Sequence, residues 1–384
     1  MAILSSQRAR PRPAAGSRAA TLAPKIRLSG STFIAHTQPG LEGIAIAEAM
    51  ARIPGATEAG RRTISERGAM AIIAVPQPQA LLKLRCIEDL FAPVAYVRPL
   101  AAGDAGLEQA RRLMRSSAFV EPALRLRAQL APGSHSGQRL SFRVIARTVG
   151  EHEFRRVDLQ RAIERGISER GERRWRLHEN GEVEFWVTML GDELLVALRL
   201  SDDRMRQREY KTVHLPGSLR PSVAAALAWL SEPCADDIVL DPLCGAGTIL
   251  IERAHMGRYR MLLGGDHDSE ALAAARDNIG PRYKPIEVRQ WDAAALPLED
   301  ASVTRVITNL PWGRQMGSHP ENQRLYPRLV REFKRVLAPG GKLVLLSGDA
   351  RLLRETLTAE KIAPARILRV TVLGAPASIF VCNV

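Results

Sequence analysis

The stretch IVLDPLCGAGTILIE, residues 238–252, reads as a buried strand ending in Asp241, a loop carrying Gly245 and Gly247, and an apolar helix opening at Thr248. Glycines at this position let a ligand approach the backbone at the carboxyl end of a strand, where open α/β sheets bind their ligands. Nineteen residues after Gly247 comes Asp266, closing the next strand in LLGGDHD. A carboxylate at that spacing can accept hydrogen bonds from both hydroxyls of a ribose. Strand, loop, helix, strand and acid together point to a nucleoside cofactor.

The loop narrows the choice. It lacks the third glycine of a dinucleotide fingerprint and the lysine of a phosphate-binding loop, so neither a pyrophosphate nor a triphosphate has a cradle. Asp241 instead offers a carboxylate that suits an ammonium group. S-adenosylmethionine, an adenosine joined to a methionyl group through a sulfonium, fits this pattern. Asp292, in QWDAAAL after a further strand, is placed to accept from the adenine amine, whereas Asp268 reads as the cap of the helix SEALAAARDNI. Cys244 reads as a packed neutral thiol.

A second motif, TNLPWG at residues 308–313, follows the fourth strand of this region. The Asn309 amide oxygen and a backbone carbonyl at Leu310 or Pro311 can together accept both hydrogens of an amino group on a planar base. Pro311 fixes the direction of the chain, and Trp312 offers a face for stacking.

Outward from these motifs, strand and helix signals alternate from Leu219 to the C-terminus, and runs such as KLVLLS are apolar on both faces, as in a buried parallel sheet. The C-terminal region is therefore expected to be a doubly wound α/β domain. Ahead of it lie two small α+β units in series. The first holds the strands STFIAHT and AMAIIAV, the helix GLEGIAIAEAMARI and a further helix around PQALLKLRCI. The second has a helix over 105–116, strands at ALRLRAQL and SFRVIARTV, a helix with Asp158 near its start, and strands VEFWVTML and ELLVALRL. The expected boundaries are a disordered basic tail at 1–28, units at 29–104 and 105–205, and the α/β domain at 206–384.

Composition agrees with this division. The 384 residues suffice for two or three domains. No apolar run approaches the ~20 residues of a membrane span. Four scattered cysteines (Cys86, Cys234, Cys244, Cys382) argue against a disulfide framework and against a zinc site, favouring a reducing compartment. The net charge of +14 is uneven: residues 1–220 hold 35 basic and 23 acidic residues, residues 221–384 hold 20 and 18. A basic half ahead of a near-neutral one suggests that the first attracts a polyanion on which the second acts.

DPLCGAGTILIE, GGDHDSEALAAARDNI and NLPWG, with SLRPSVAAALAWLS ahead of them, resemble the THUMP-domain RNA guanine-N2 methyltransferases, most of all the tRNA enzymes that modify the sixth nucleotide of the acceptor stem. The resemblance covers roughly residues 31–384. It implies a ferredoxin-like domain, a THUMP domain and a Rossmann-like catalytic domain, with S-adenosylmethionine as cofactor; with the cysteines too few and scattered for zinc, no metal is expected. Asn309-Leu310-Pro311-Trp312 departs from the commoner Asn-Pro-Pro-Tyr, although a Leu-Pro version occurs in the tRNA subgroup. By this resemblance Asp241, Gly245, Gly247, Asp266 and Asp292 contact the cofactor, and Asn309, Pro311 and Trp312 bind the base. The THUMP unit would grip the 3′ end of tRNA, with Arg143, Arg147, Arg155, Arg156 and Arg161 as phosphate contacts. A cytoplasmic monomer acting on tRNA is the resulting expectation. The alternatives are guanine-N2 methylation of ribosomal or another structured RNA, and an RNA-binding protein whose catalytic fold is inactive.

Overall fold

The computed structural model describes residues 25–130, 139–313 and 318–384. The N-terminal part runs β1 (Thr32–Thr37), α1 (Glu42–Arg52), β2 (Thr57–Ser65), β3 (Gly68–Ala74), a 3-10 turn (Pro78–Lys83), β4 (Asp89–Val97), α2 (Gly103–Ser116), α3 (Val120–Leu130), β5 (Arg139–Val149), α4 (Arg156–Ser168), β6 (Arg174–Leu177), β7 (Val183–Leu190) and β8 (Glu193–Arg199). The short α5 (Arg204–Gln207) lies in the connection to the C-terminal part. There follow α6 (Pro221–Leu230), β9 (Ile238–Asp241), α7 (Thr248–Ala254), β10 (Met261–Asp266), α8 (Ser269–Ile279), β11 (Ile286–Gln290), β12 (Val303–Asn309), α9 (His319–Val336), β13 (Leu337–Ser347), α10 (Ala350–Ala359), β14 (Pro364–Val372) and β15 (Ala375–Asn383).

The C-terminal sheet has the order β11-β10-β9-β12-β13-β15-β14, parallel except for β15, which is antiparallel to both neighbours. The chain turns from one half of the sheet to the other between β9 and β12, the switch point at which an open α/β sheet leaves a crevice. Its strands are apolar on both faces because helices cover both: Leu343, Val344, Leu345 and Leu346 are fully buried. Local signals fix the helix starts. Pro221 opens α6, and the Asp268 side chain accepts from Glu270 N at 2.9 Å to cap α8, as its sequence position suggests.

The N-terminal strands form one eight-stranded sheet in the order β2-β3-β1-β4-β8-β7-β5-β6. Each of the two expected units supplies four adjacent strands, and the antiparallel pairing of β4 with β8 fuses them, Phe91 opposite Arg199 and Val97 opposite Leu194. Three expectations need correction. ALRLRAQL is helical within α3, where Val120, Ala123 and Leu124 form the buried stripe and Arg127 donates to the Glu182 carbonyl at 2.7 Å. The helix expected around PQALLKLRCI is only the 3-10 turn. Residues 25–28, placed in the tail, are described, and Ile26 is buried among Ile34, Ile64 and Met70. The rest of the expected tail, residues 1–24, lies outside the described residues.

The two sheets meet through a polar joint. Gln38 donates to Glu88 Oε1 at 3.0 Å and accepts from Leu373 N at 3.1 Å, while Thr371 N donates to the Pro39 carbonyl at 2.9 Å. Lower down, Glu252 of α7 takes a two-pronged bond from Arg85, 2.8 and 2.9 Å, and the Tyr210 hydroxyl at 2.7 Å.

Candidate active site

The carboxyl ends of β9, β10 and β12 bring together the residues singled out in the sequence. Asp241 ends β9, and the residue is 1% exposed. Burial, then the nearby Asp266 charge, raises its pKa to about 7. No basic side chain pairs with it among the described residues. A buried acid without a cation is suited to receive one from a ligand.

Asp266 ends β10. Its Oδ2 accepts from Gly245 N at 3.0 Å and its Oδ1 from Asp268 N at 3.2 Å, so the acid and the glycine loop hold each other. Gly245 has φ +50°, and a Cβ built there would meet nothing within 4 Å. That conformation needs glycine, and the space beside it is open to a ligand. Gly247, at φ +75°, is the residue on which α7 begins, with Ala275 packed 3.4 Å from its would-be Cβ. Its role is to turn the chain and seat α7 on α8. Burial pushes the Cys244 thiol well above its ordinary range, leaving it neutral.

Trp291, which sequence reasoning passed over, forms a wall of this crevice. Its indole N–H donates to the Pro242 carbonyl at 3.2 Å, and its ring lies 1.8 Å from where a Cβ on Gly265 would stand. The doubled glycine before Asp266 was the available signal. Asp292, one residue further, is exposed: Oδ1 accepts from Ala294 N at 2.9 Å, and Oδ2 meets Arg328 at 3.4 Å. The two carboxylates and the open glycine loop suit a ligand with an ammonium and a ribose, the two polar ends of S-adenosylmethionine.

The second motif follows β12 directly. The Trp312 indole N–H donates to Asn309 Oδ1 at 2.9 Å, and the indole lies on Gly348, whose would-be Cβ falls 2.8 Å from the ring. One face of Trp312 is thus packed against the backbone, and the half-buried ring has a second role, orienting the asparagine. The Pro311 carbonyl accepts from Asn322 Nδ2 at 2.9 Å and from the Tyr326 hydroxyl at 2.6 Å. Both lone pairs are occupied, so of the two carbonyls considered from sequence, Leu310 is the one that can serve a base. Asn322, Tyr326 and Ser347 were not identified from the sequence, since a Tyr at an apolar helical position reads as core.

The arginines expected to meet RNA differ in their surroundings. Arg143 pairs with Glu184 at 2.6 Å, and Arg155 is bound by Asp158, which also caps α4. Arg147 lies over the Trp186 ring at 4.5 Å, where burial and the Arg206 charge lower its pKa. Arg156 reaches the Ala146 carbonyl at 3.5 Å, while Arg161 is exposed on α4. A separate cleft of about 740 Å³ opens between the inter-sheet connection and the C-terminal ends of α7 and α8, lined by Arg85, Arg208, Tyr210, His255 and Tyr283. It lies at the opposite end of the strands from the Asp241 crevice.

Residues 208–374 match the family of RMKL-like methyltransferase domains. The tRNA (guanine(6)-N(2))-methyltransferase THUMP3 of Mus musculus is 33% identical over 233 residues, covering 56% of this chain and 46% of that protein. The chain thus spans less than half the length of that relative. The tRNA (guanine(6)-N2)-methyltransferase of Thermus thermophilus is 29% identical over 331 residues, 84% of this chain and 91% of that one. The crystal structure of TrmN from Thermus thermophilus aligns with a TM-score of 0.74 at 26% identity, over 92% of this chain and 99% of that chain.

Proposed function

We propose that this chain is a THUMP-type tRNA guanine-N2 methyltransferase, which moves a methyl group from S-adenosylmethionine to the exocyclic N2 amine of a guanosine in the acceptor stem of tRNA. The observation that carries the reading is the placement of the Asp241–Gly245–Asp266 crevice and the Asn309–Leu310 acceptors at adjoining strand ends of one sheet. The cofactor, when bound, supplies a methyl group made electrophilic by its sulfonium.

The chain's own residues supply binding and orientation. Asp241 faces the ammonium, and Asp266, held by Gly245 N, presents its remaining lone pairs to the ribose hydroxyls. Asp292 sits where the adenine amine would be met once its contact with Arg328 gives way. The lone pair of guanine N2 is delocalised into the ring. Accepting its two hydrogens at Asn309 Oδ1 and the Leu310 carbonyl leaves the nitrogen more nucleophilic and aims it at the methyl group; as the N–C bond forms the C–S bond would break with its electron pair left on a neutral thioether, and one of the two N2 protons would pass to solvent. A guanosine in a paired stem has to leave the stack to reach these acceptors, and the face of Trp312 turned away from Gly348 is the surface on which it would rest.

The basic N-terminal half is the polyanion-binding part of this reading, with Arg147, Arg156 and Arg161 contributing more than Arg143 and Arg155, whose charges are already matched. The test is nucleoside mass spectrometry of tRNA transcripts and of ribosomal RNA incubated with the protein and cofactor. N2-methylguanosine in tRNA supports the reading, and its appearance only in ribosomal RNA would replace the substrate. Asn309→Ala is expected to lower transfer by at least about 100-fold, the scale of losing one preorganised polar contact. The cofactor Kd should stay within two-fold by calorimetry, and a parallel loss of cofactor binding would contradict the role given to Asn309.

A further inference from the structure

We infer that Asn322 and Tyr326 are positioning residues that clamp the Asn309–Trp312 turn from α9 and so fix the geometry in which the substrate amine is received. Its consequence for catalysis rests on the methyl-transfer reading above, but the clamp itself is a statement about this chain.

Asn322 and Tyr326 stand one helical turn apart on the buried face of α9, at 1% and 0% exposure. Both donate to one acceptor, the Pro311 carbonyl, at 2.9 and 2.6 Å. The chain on the other side of Leu310 is also tied, since Leu310 N donates to the Leu346 carbonyl at 2.9 Å. The Leu310 carbonyl therefore lies between two anchored peptides. Trp312, one residue past the clamped carbonyl, is placed by it on Gly348, from which its N–H reaches Asn309 Oδ1.

Three details argue that this arrangement is more than ordinary core packing. Asn322 Oδ1 is buried without a hydrogen-bond partner among the described residues, a cost of about 1–3 kcal/mol that a leucine would avoid. Only the amide nitrogen can donate to a carbonyl, so the contact with Pro311 dictates the side chain's orientation and leaves that oxygen orphaned. Second, the Tyr326 hydroxyl is itself supported. Asp349 N donates to Ser347 Oγ at 2.9 Å, and Ser347 Oγ lies 2.9 Å from Tyr326 Oη. With the tyrosine proton directed at Pro311, the serine proton points to the tyrosine, giving a one-way chain of donors that ends on the turn. Third, Gly313 passes over the start of α9 at φ +69°, and a Cβ there would fall 3.1 Å from Asn322 Nδ2. The positive φ, the close His319 N at 3.0 Å and the Asn322 amide together favour glycine at this point of the motif.

The experiment uses Tyr326→Phe, which removes one oxygen, Asn322→Leu, and the double variant. The first measurement does not depend on activity. The chain has five tryptophans. The Trp312 indole resonance in a 15N spectrum is identified by its loss in Trp312→Phe. In the unmodified chain this N–H should exchange slowly; in the double variant its exchange should quicken at least ten-fold while the other four indoles keep their rates. The second measurement is the single-turnover rate of methyl transfer at saturating RNA and cofactor. It should fall about 10-fold in Tyr326→Phe and about 100-fold in the double variant, the loss associated with ångström-scale misplacement, with cofactor Kd within two-fold. Unchanged Trp312 exchange and an unchanged rate in the double variant would overturn the clamp, and so would a rate loss that appears entirely as weaker cofactor binding. If the unmodified chain methylates no RNA, the proposed function fails, and indole exchange still decides the clamp.

Discussion

Asp241 is the residue whose chemistry is most exposed to a simple test. Its pKa, raised to about 7 by burial, means that the free protein holds the acid protonated at mildly acidic pH. The sign follows from linkage: the folded state binds more protons than the unfolded chain between the ordinary carboxylate value and about 7, so this group's contribution to stability declines as pH rises through that window. A cationic ligand reverses the preference by favouring the carboxylate. Cofactor affinity should therefore strengthen as pH rises from 5.5 towards 7, approaching ten-fold per unit at the acid end, flatten as Asp241 becomes ionised, and fall once an α-amino group loses its own proton, near pH 7.7–8.0. Calorimetry at pH 6 in two buffers of different ionisation enthalpy should register proton release on binding. Asp241→Asn should abolish both the release and the pH slope. An unchanged slope in that variant would remove Asp241 from the ammonium site. At this scale the sequence was informative where a residue's chemistry and its place at a strand end coincide, as for Asp241, Asp266 and Asn309. It was silent where the partner comes from a distant element. Nothing near Pro311 indicates that residues 322 and 326 occupy its carbonyl, or that Trp312 spends its N–H on Asn309.

Among the elements, β10 and the chain entering Trp291 show how closely the crevice wall is fitted. Gly265 carries the Trp291 indole where any side chain would stand, so Gly265→Ala must displace the ring or part β10 from its neighbours. Overpacking of this kind costs about 3 kcal/mol, a fall in Tm of roughly 6–12 °C for a domain of this size. Gly171→Ala, where a Cβ would meet nothing within 4 Å, is expected to stay within about 0.5 kcal/mol. Thermal melts followed by tryptophan fluorescence compare the two, and equal Tm values would mean that the Trp291 packing is not as tight as described. The elements also explain the misreading of α3. Leu124, Arg125, Leu126 and Arg127 alternate as a strand would, yet only Leu124 of the four is fully buried. The helical stripe of Val120, Ala123 and Leu124 begins upstream of the alternating part, and tertiary packing decided between two patterns that the sequence supports equally. The edge strands β2 and β6 escaped notice for a related reason. β6 is largely exposed, and in β2, bulged at Glu58/Gly60 and Thr63/Ser65, the inward positions are Gly60, Arg62 and Ile64, only the last of them a large apolar residue, so neither shows apolar–polar alternation in the sequence.

For the whole molecule, the decisive features are the joint between the sheets and the fate of the charge. At the joint, Gly40 approaches so closely that a Cβ would fall 2.2 Å from the Arg369 carbonyl, and Gln38 ties Glu88 to Leu373. Polar groups satisfied across this contact fix the orientation of the basic sheet relative to the crevice, so under the proposed function an RNA held by one part would meet the other at a set distance. The charge itself is less free than a total of +14 suggests. Arg85, Arg111, Arg143, Arg155 and Arg199 are each committed to carboxylates. A cation already paired with a carboxylate has less charge to offer a phosphate, so the unpaired ones should account for most of the counterion release. Arg161, exposed on α4, has no ion-pair partner among the described residues, whereas Arg155 on the same helix start is held by Asp158 at 2.9 Å. If both lie in the path of the RNA, Arg161→Ala should reduce the slope of log affinity against log salt by about 0.7–0.9. Arg155→Ala should change it by a fraction of that, because its removal also frees an acid that repels phosphate only weakly through solvent. Fluorescence anisotropy with labelled tRNA between 50 and 200 mM salt measures both slopes. Equal slopes for the two variants would show that internal pairing does not govern which arginines serve the RNA, and the unpaired set would lose its claim to be the binding surface.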